Sequence, residues 1–97
     1  MRTLNDLLTE LRALEPELRR RYPIRRLGVF GSYVRGTQRE ESDLDVLVEP
    51  GEDMGLLALV GLKQDLSDAT GLVVDVVTSD TLERRIGRRI LSEAIML

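Results

Sequence analysis

The chain has 97 residues, enough for one domain of ordinary size and too few for two. It contains no cysteine and no histidine, which excludes disulfides, thiol chemistry and catalysis by imidazole. The net charge of −3 and the small aromatic content of 3% argue against binding of nucleic acid by charge or by base stacking. Any metal site must use oxygen ligands, which suit Mg²⁺, Mn²⁺ or Ca²⁺.

No stretch of about 18 apolar residues is present, and the N-terminus lacks the charged-then-apolar order of a signal peptide. These features predict a cytoplasmic domain without a membrane partner.

The segment 1–22 is predicted to be helical, because its leucines recur at helical spacing. Thr3 or Asn5 is placed to cap the start of the helix. The residue before a proline avoids α geometry, so Glu15 and Pro16 predict an interruption and a short second helix that begins at Pro16.

Three apolar runs alternate with turn or helical segments in the middle of the chain. Their β-branched and aromatic residues predict strands at 24–30, 43–49 and 72–78. A short helix or turn follows the first strand. A helical stripe of apolar residues over 54–71 lies between the second and third strands and ends at Gly71.

The last segment, 79–97, is predicted to be helical, with Ser79 as a candidate cap and Leu82, Ile86, Ile90 and Leu91 on its apolar face. Its final stretch, ILSEAIML, is apolar for a chain end, which favours core with some subunit interface. A homo- or hetero-oligomer is compatible with it.

This order of elements predicts an α/β (α+β) fold, with a small mixed β-sheet and helices packed on it. The whole chain, 1–97, forms one domain whose catalytic core is the βαβαβ segment 24–78. The short link between the first two strands suits an antiparallel or strongly bent pair, whereas the helix between the second and third permits a parallel crossover.

Two aspartates lie on one face of the second predicted strand. Asp43 and Asp45 are two residues apart, so their side chains point to the same side. An edge strand with its polar face in water would explain them. Asp75, however, lies inside the apolar run LVVDVVT, where a carboxylate is costly to bury unless a positive charge meets it. A solvent-exposed face is the alternative for this residue.

If these three carboxylates meet on neighbouring strands, they repel one another and take up protons unless cations intervene. Two Mg²⁺ ions about 3.5–4 Å apart would neutralise them and clamp the oxygens of an in-line phosphoryl displacement. Because the chain has no histidine, Asp75 is also the candidate base that draws the proton from an attacking hydroxyl.

A glycine-serine turn follows the first predicted strand. Gly31 permits a close approach of the backbone to a ligand, and helix-start N–H groups with the Ser32 hydroxyl can face an anion. By itself such a dipeptide is usually only a strand-ending turn. Arg35 fits either phosphate binding or a structural ion pair. Ser42 fits either a loop cap or a phosphate contact.

Taken together, these residues resemble the nucleotidyltransferase superfamily that includes DNA polymerase β. The pattern consists of Gly31-Ser32, ten intervening residues, Asp43-Leu44-Asp45, and a lone aspartate on the next strand, within the wording FGSYVRG…SDLDVLV. The small size resembles the minimal nucleotidyltransferase (MNT) branch, and the similarity runs from about residue 16 to the C-terminus. The resemblance implies a nucleotidyltransferase-like minimal palm.

Members of this branch are commonly encoded beside a HEPN-domain ribonuclease toxin and act as its antitoxin, and some transfer AMP from ATP onto a toxin tyrosine. The resemblance therefore implies a Mg²⁺-dependent transfer of AMP from ATP to a hydroxyl of such a partner. Asp43, Asp45 and Asp75 would be the metal ligands, with Asp75 also the base. Gly31 and Ser32 would hold the triphosphate with the support of Arg35.

Two other functions are weighed against this one. In the first, the chain silences a toxin by occlusion and its acidic site is vestigial. In the second, the arginine clusters at 19–26 and 84–89 make it an RNA-binding adaptor with steeply salt-dependent binding. The acidic net charge and the few aromatic residues disfavour the second.

Overall fold

The computed structural model describes residues 2–80 and 92–97. In chain order, the elements in this part of the chain are α1 (Leu4–Arg21), β1 (Ile24–Phe30), α2 (Ser32–Arg35), β2 (Leu44–Pro50), α3 (Leu56–Thr70), β3 (Val74–Thr78) and β4 (Ile95–Met96). Among the described helices, none is both long and apolar enough to cross a membrane.

The strands form one mixed sheet in the order β3-β2-β1-β4. β1 is antiparallel to both β2 and β4, while β2 and β3 are parallel and are joined through α3. This arrangement confirms the predicted α/β fold, the antiparallel pairing across the short link and the crossover through a helix. It also places the last residues of β1 at the same end of the sheet as the first residues of β2 and β3.

The main core lies between the sheet and two helices. Leu7, Leu11 and Leu18 of α1 and Leu62 and Leu66 of α3 are almost fully buried. They pack against one face of the sheet, which includes the alternate residues Leu44, Val46 and Val48 of β2. The residues between these three point to the other face. That second face carries a small apolar cluster of Phe30 and Leu47 with Val77, Ala94 and Met96.

α1 begins with a capping box, in which the Thr3 hydroxyl accepts from the N–H of Asp6 and the Asp6 carboxylate accepts from the N–H of Thr3. The cap at Thr3 was predicted, but the predicted interruption at Pro16 is wrong, since α1 is continuous through it. Proline removes one helical hydrogen bond. The leucines on both sides of it, Leu11 and Leu18, are buried in the same core, which keeps the two halves on one axis.

The predicted strand boundaries shift by one or two residues. β2 begins at Leu44 and includes Pro50, so Asp43 lies immediately before the strand. β3 begins at Val74, because the chain first leaves α3 through Gly71 in the left-handed conformation (φ 73°). α3 covers residues 56–70 of the predicted 54–71.

The C-terminus corrects another prediction. Residues 79–80 and 92–93 are helical, as expected for the segment 79–97, but Ile95–Met96 form β4 against β1. A two-residue strand is too short to give a periodic pattern in the sequence. The predicted apolar face at Leu82, Ile86, Ile90 and Leu91 and the cluster at 84–89 lie outside the described residues.

Candidate active site

Asp45 and Asp75 lie side by side on neighbouring parallel strands. The register of β2 and β3 pairs Leu44 with Val74 and Asp45 with Asp75. Leu44 and Val74 are buried on the helical side, so the two aspartates project from the opposite face of the sheet. Asp43 comes two residues before Asp45 and lies at the same end of the sheet. Asp43 and Asp75 are exposed, and Asp45 is partly buried.

Gly31 brings the turn after β1 directly against Asp45. Phe30, the last residue of β1, pairs with Asp45 across the sheet. A Cβ atom at position 31 would lie 2.9 Å from Cγ of Asp45 and closer still to its Oδ2. Gly31 also has a φ of 82°, which side chains rarely tolerate. The position therefore favours glycine for two independent reasons, the positive φ and the carboxylate of Asp45 beside it.

The pKa of Asp45 is shifted by its surroundings. Partial burial raises the pKa of Asp45 above its ordinary value, and the negative charges of Asp75 and Asp43 raise it further, whereas the positive charge of Arg35 lowers it. In the described residues, none of the three carboxylates forms an ion pair or hydrogen bond. The negative charges of Asp43 and Asp75 therefore act on Asp45 with only the charge of Arg35 to oppose them.

The donor chemistry of this cluster fits Mg²⁺, because all three side chains offer carboxylate oxygens and no histidine or cysteine competes. Among residues 2–80 and 92–97, however, no three acidic side chains are close enough together to make a ready metal-binding group. The backbone register holds Asp45 and Asp75 as neighbours, and Asp43 comes just before the same strand. The ligand roles of the three aspartates remain predictions.

α2 begins at the glycine-serine turn and is anchored by Tyr33, whose side chain is buried in the main core. The N–H groups of Val34 and Arg35 donate to the carbonyl of Gly31. The first N–H groups of a helix have no acceptor within it. Ser32, the first residue of α2, is partly exposed and directly follows Gly31, which lies against Asp45.

Arg35 forms an ion pair with Glu93, with 3.8 Å between Nη1 and Oε2. Its charge also reaches Asp45, whose pKa it lowers. Of the two interpretations of Arg35, the ion pair is thus observed, and its phosphate role remains a prediction. Glu93 was not predicted from the sequence. The only available signal is that it is the one charged residue in the apolar stretch ILSEAIML.

Ser42 closes the loop that leads into β2. Its hydroxyl accepts from the N–H of Arg39 at 2.8 Å, and its own N–H donates to the carbonyl of Arg39 at 3.0 Å. Ser42 therefore caps this loop, which was one of its two expected roles. Its hydroxyl proton has no part in these two bonds, so a phosphate contact remains a prediction.

Comparison with known proteins identifies the family of the chain. Residues 11–97 match the family model described as a nucleotidyltransferase domain. The chain is 41% identical over 95 residues to the protein adenylyltransferase MntA of Thermococcus cleftensis, covering 98% of this chain and 96% of the relative.

Two solved structures are also similar. One, described as a minimal nucleotidyltransferase, superposes with a TM-score of 0.82 at 38% identity, over 99% of this chain and 97% of the other. The second is a crystal structure of a toxin-antitoxin with AMP-PNP. It has a TM-score of 0.68 at 26% identity, over 91% of this chain and 69% of that one.

Proposed function

Because the chain belongs to the nucleotidyltransferase family, we propose that it transfers AMP from ATP to a hydroxyl of a partner toxin, and so acts as an antitoxin. The observation that carries the proposal is the alignment of Asp45 with Asp75 beside the Gly31 turn. A triphosphate at the turn would place its α-phosphorus next to the carboxylates. The relative MntA is named a protein adenylyltransferase, which supports a protein acceptor.

Asp43, Asp45 and Asp75 would hold Mg²⁺, and we propose that two ions bind. When bound, Mg²⁺ supplies positive charge that offsets the carboxylates and the phosphates. Gly31 and Ser32 would contact the triphosphate through backbone N–H groups and the Ser32 hydroxyl. Arg35 would add a charge-assisted hydrogen bond to a phosphate oxygen, and Ser42 would contribute through its remaining hydroxyl proton.

In the proposed reaction, the acceptor oxygen forms a bond to the α-phosphorus of ATP while the bond to pyrophosphate breaks. The acceptor proton passes to Asp75, which lies at the exposed edge of the acidic group and can therefore meet an incoming hydroxyl. The products are an AMP ester of the partner and pyrophosphate. A tyrosine of a HEPN-type toxin is the acceptor that we propose.

The direct test is labelling of a co-expressed toxin with ATP that carries the label at the α-phosphate, in the presence of Mg²⁺. We expect label on the toxin with wild type and at least about 100-fold less with Asp43→Asn or Asp45→Asn, since charge stabilisation at a reacting centre contributes about this much. Asp53→Asn is the matched control, because Asp53 is an exposed aspartate after β2, beyond the opposite end of that strand. Equal labelling by all four proteins would refute the proposed chemistry.

Toxin neutralisation without chemistry is the competing function, and a growth assay separates it. If AMP transfer neutralises the toxin, cells that express the toxin are rescued by wild type and Asp53→Asn but not by Asp45→Asn at equal protein level. Full rescue by Asp45→Asn would instead indicate neutralisation by occlusion.

A further inference from the structure

The C-terminal strand places an acidic side chain next to the proposed nucleotide site. β4 is antiparallel to β1, with Met96 opposite Gly28 and Ile95 opposite Val29. Glu93 lies two residues before Ile95, in the helical residues 92–93 that precede β4. Its ion pair with Arg35 places it at the end of α2, although it lies more than 60 positions from Gly31 in the sequence.

Close packing between β1 and β4 holds this register. A Cβ atom at position 28 would lie 2.5 Å from Sδ of Met96 and 2.9 Å from the carbonyl oxygen of Ile95. Only glycine therefore allows β4 to pair with β1 at this distance. Gly28 lies outside the pattern that carries the family resemblance, so only the structure connects it with this pairing.

Arg35 interacts with two acidic residues. Its Nη1 is 3.8 Å from Oε2 of Glu93, and its charge also reaches Asp45. Loss of Glu93 would leave the guanidinium free to move toward Asp45. A guanidinium bound there would occupy a carboxylate that we propose as a ligand of Mg²⁺.

We propose that Glu93 is a positioning residue, which holds the guanidinium of Arg35 beside the Gly31-Ser32 turn, directed to nucleotide phosphates and clear of the three aspartates. This inference rests on the proposed nucleotide site. Glu93 itself contacts neither the nucleotide nor the acceptor. Its role would be to reduce the number of conformations that Arg35 samples before the nucleotide binds.

The test is calorimetric titration of the ligand-free protein with AMP-PNP in the presence of Mg²⁺. Glu93→Gln, which keeps the shape and removes the charge, is expected to raise the Kd about threefold, the size expected for a partly exposed ion pair. Arg35→Gln is expected to raise it about tenfold through loss of a charged hydrogen bond. The double variant should bind no more weakly than Arg35→Gln alone, because Glu93 acts through Arg35.

Two further variants separate positioning from general stability. Glu93→Asp keeps the charge and should recover part of the affinity. Glu49→Gln removes a comparable ion pair, that of Glu49 with Arg26 at 4.0 Å, at the far end of β2, and should leave the Kd unchanged. A thermal unfolding curve for each variant shows whether a loss of stability accounts for the loss of affinity.

The possible results are distinguishable. If wild type binds AMP-PNP and Glu93→Gln binds it equally well, the role of Glu93 is overturned while the proposed function stands. The role is also overturned if the effects of Glu93→Gln and Arg35→Gln simply add. If wild type itself binds no AMP-PNP, the proposed function fails and this inference fails with it.

Discussion

At the scale of single residues, the site is defined by Asp45 and Gly31. The carboxylate of Asp45 is partly buried, lies beside two other negative charges, and occupies the space that a side chain at position 31 would need. Because Gly31 has no side chain, the turn can approach Asp45 closely, and the Asp45 carboxylate fills the space that a side chain would occupy. Such an arrangement is unfavourable for the ligand-free fold, as is common at functional sites.

Replacement of Asp45 by asparagine should stabilise the ligand-free protein at neutral pH, by roughly 0.5 kcal/mol after allowance for solvent screening. The folded-state pKa of Asp45 is raised from 3.8, so folding favours the protonated form, and that advantage is lost as pH rises through the raised pKa. The gain in Asp45→Asn over wild type should therefore be absent below pH 3.8 and grow as pH rises above it. Urea unfolding at several pH values measures it. A gain that is independent of pH would contradict this explanation.

If the three aspartates hold Mg²⁺ as proposed, addition of Mg²⁺ should stabilise wild type by mass action, because the cation would bind the folded state only. We expect thermal unfolding to shift upward with increasing Mg²⁺ in wild type and much less in Asp45→Asn. Na⁺ at the same ionic strength is the control for general screening. An equal shift in both proteins would mean that the cation acts elsewhere.

Gly31→Ala should reduce both stability and nucleotide binding. Its Cβ would have to displace the Asp45 carboxylate, and its backbone would be held at a φ of 82°, which together should lower the free energy of unfolding by about 2–3 kcal/mol. Gly36→Ala is a closely matched control. Its φ is 74°, but a Cβ atom there meets nothing within 4 Å, so only the backbone strain of about 1 kcal/mol applies. Chemical denaturation with AMP-PNP titration compares them, and equal losses would show that contact with Asp45 is unimportant.

At the scale of elements, α1 shows tertiary packing that overrides a local signal. Pro16 is exposed on a continuous helix whose buried leucines lie on both sides of it. The preference of the residue before proline for extended geometry is outweighed by the burial of Leu11 and Leu18, each of which contributes about 2 kcal/mol.

Pro16→Ala should therefore increase the free energy of unfolding by about 1–2 kcal/mol. It restores a helical N–H and removes the clash of the ring with the preceding turn, with part of the gain offset by a more flexible unfolded chain. Guanidinium denaturation monitored by circular dichroism measures this change. Ala13→Gly, at an exposed position of the same helix, is a control that should decrease stability. If Pro16→Ala destabilises the protein, proline has a structural role that the helix alone does not reveal.

At the scale of the whole molecule, the acidic site and the main helix-to-helix link occupy opposite ends of the sheet. The Tyr22 hydroxyl donates to Asp65 of α3 at 2.6 Å, and Arg21 pairs with the same carboxylate at 3.0 Å. Tyr22 precedes β1 and Gly31 follows it, so the seven residues of β1, about 23 Å of extended strand, separate the two. We therefore expect a change at the Tyr22 end to alter stability without altering nucleotide binding.

Tyr22→Phe tests this separation. Loss of the hydrogen bond to Asp65 should lower the free energy of unfolding by about 1 kcal/mol and leave the affinity for AMP-PNP unchanged. Thermal unfolding and calorimetry measure the two quantities on the same sample. Weaker nucleotide binding in Tyr22→Phe would show that the two ends of the sheet are coupled.

The sequence by itself determined the order of elements from β1 to β3, the mixed sheet and the family. These depend on local periodicity and on a motif whose residues, Gly31-Ser32 and Asp43 to Asp45, are close together along the chain. The faces of β2 could also be assigned, because side chains alternate in any strand. Asp75 was identified as a candidate because a carboxylate inside an apolar run is costly to bury without a partner.

Only the tertiary structure decided how these pieces meet. The register that sets Asp45 beside Asp75, the continuity of α1 through Pro16 and the short strand that brings Glu93 to Arg35 all depend on contacts between distant segments. These contacts are stabilised by burial and strand pairing between segments that are far apart in the sequence, so a local pattern cannot predict them. The acidic residues could therefore be identified from the sequence, whereas the fold decides which charged groups lie next to them.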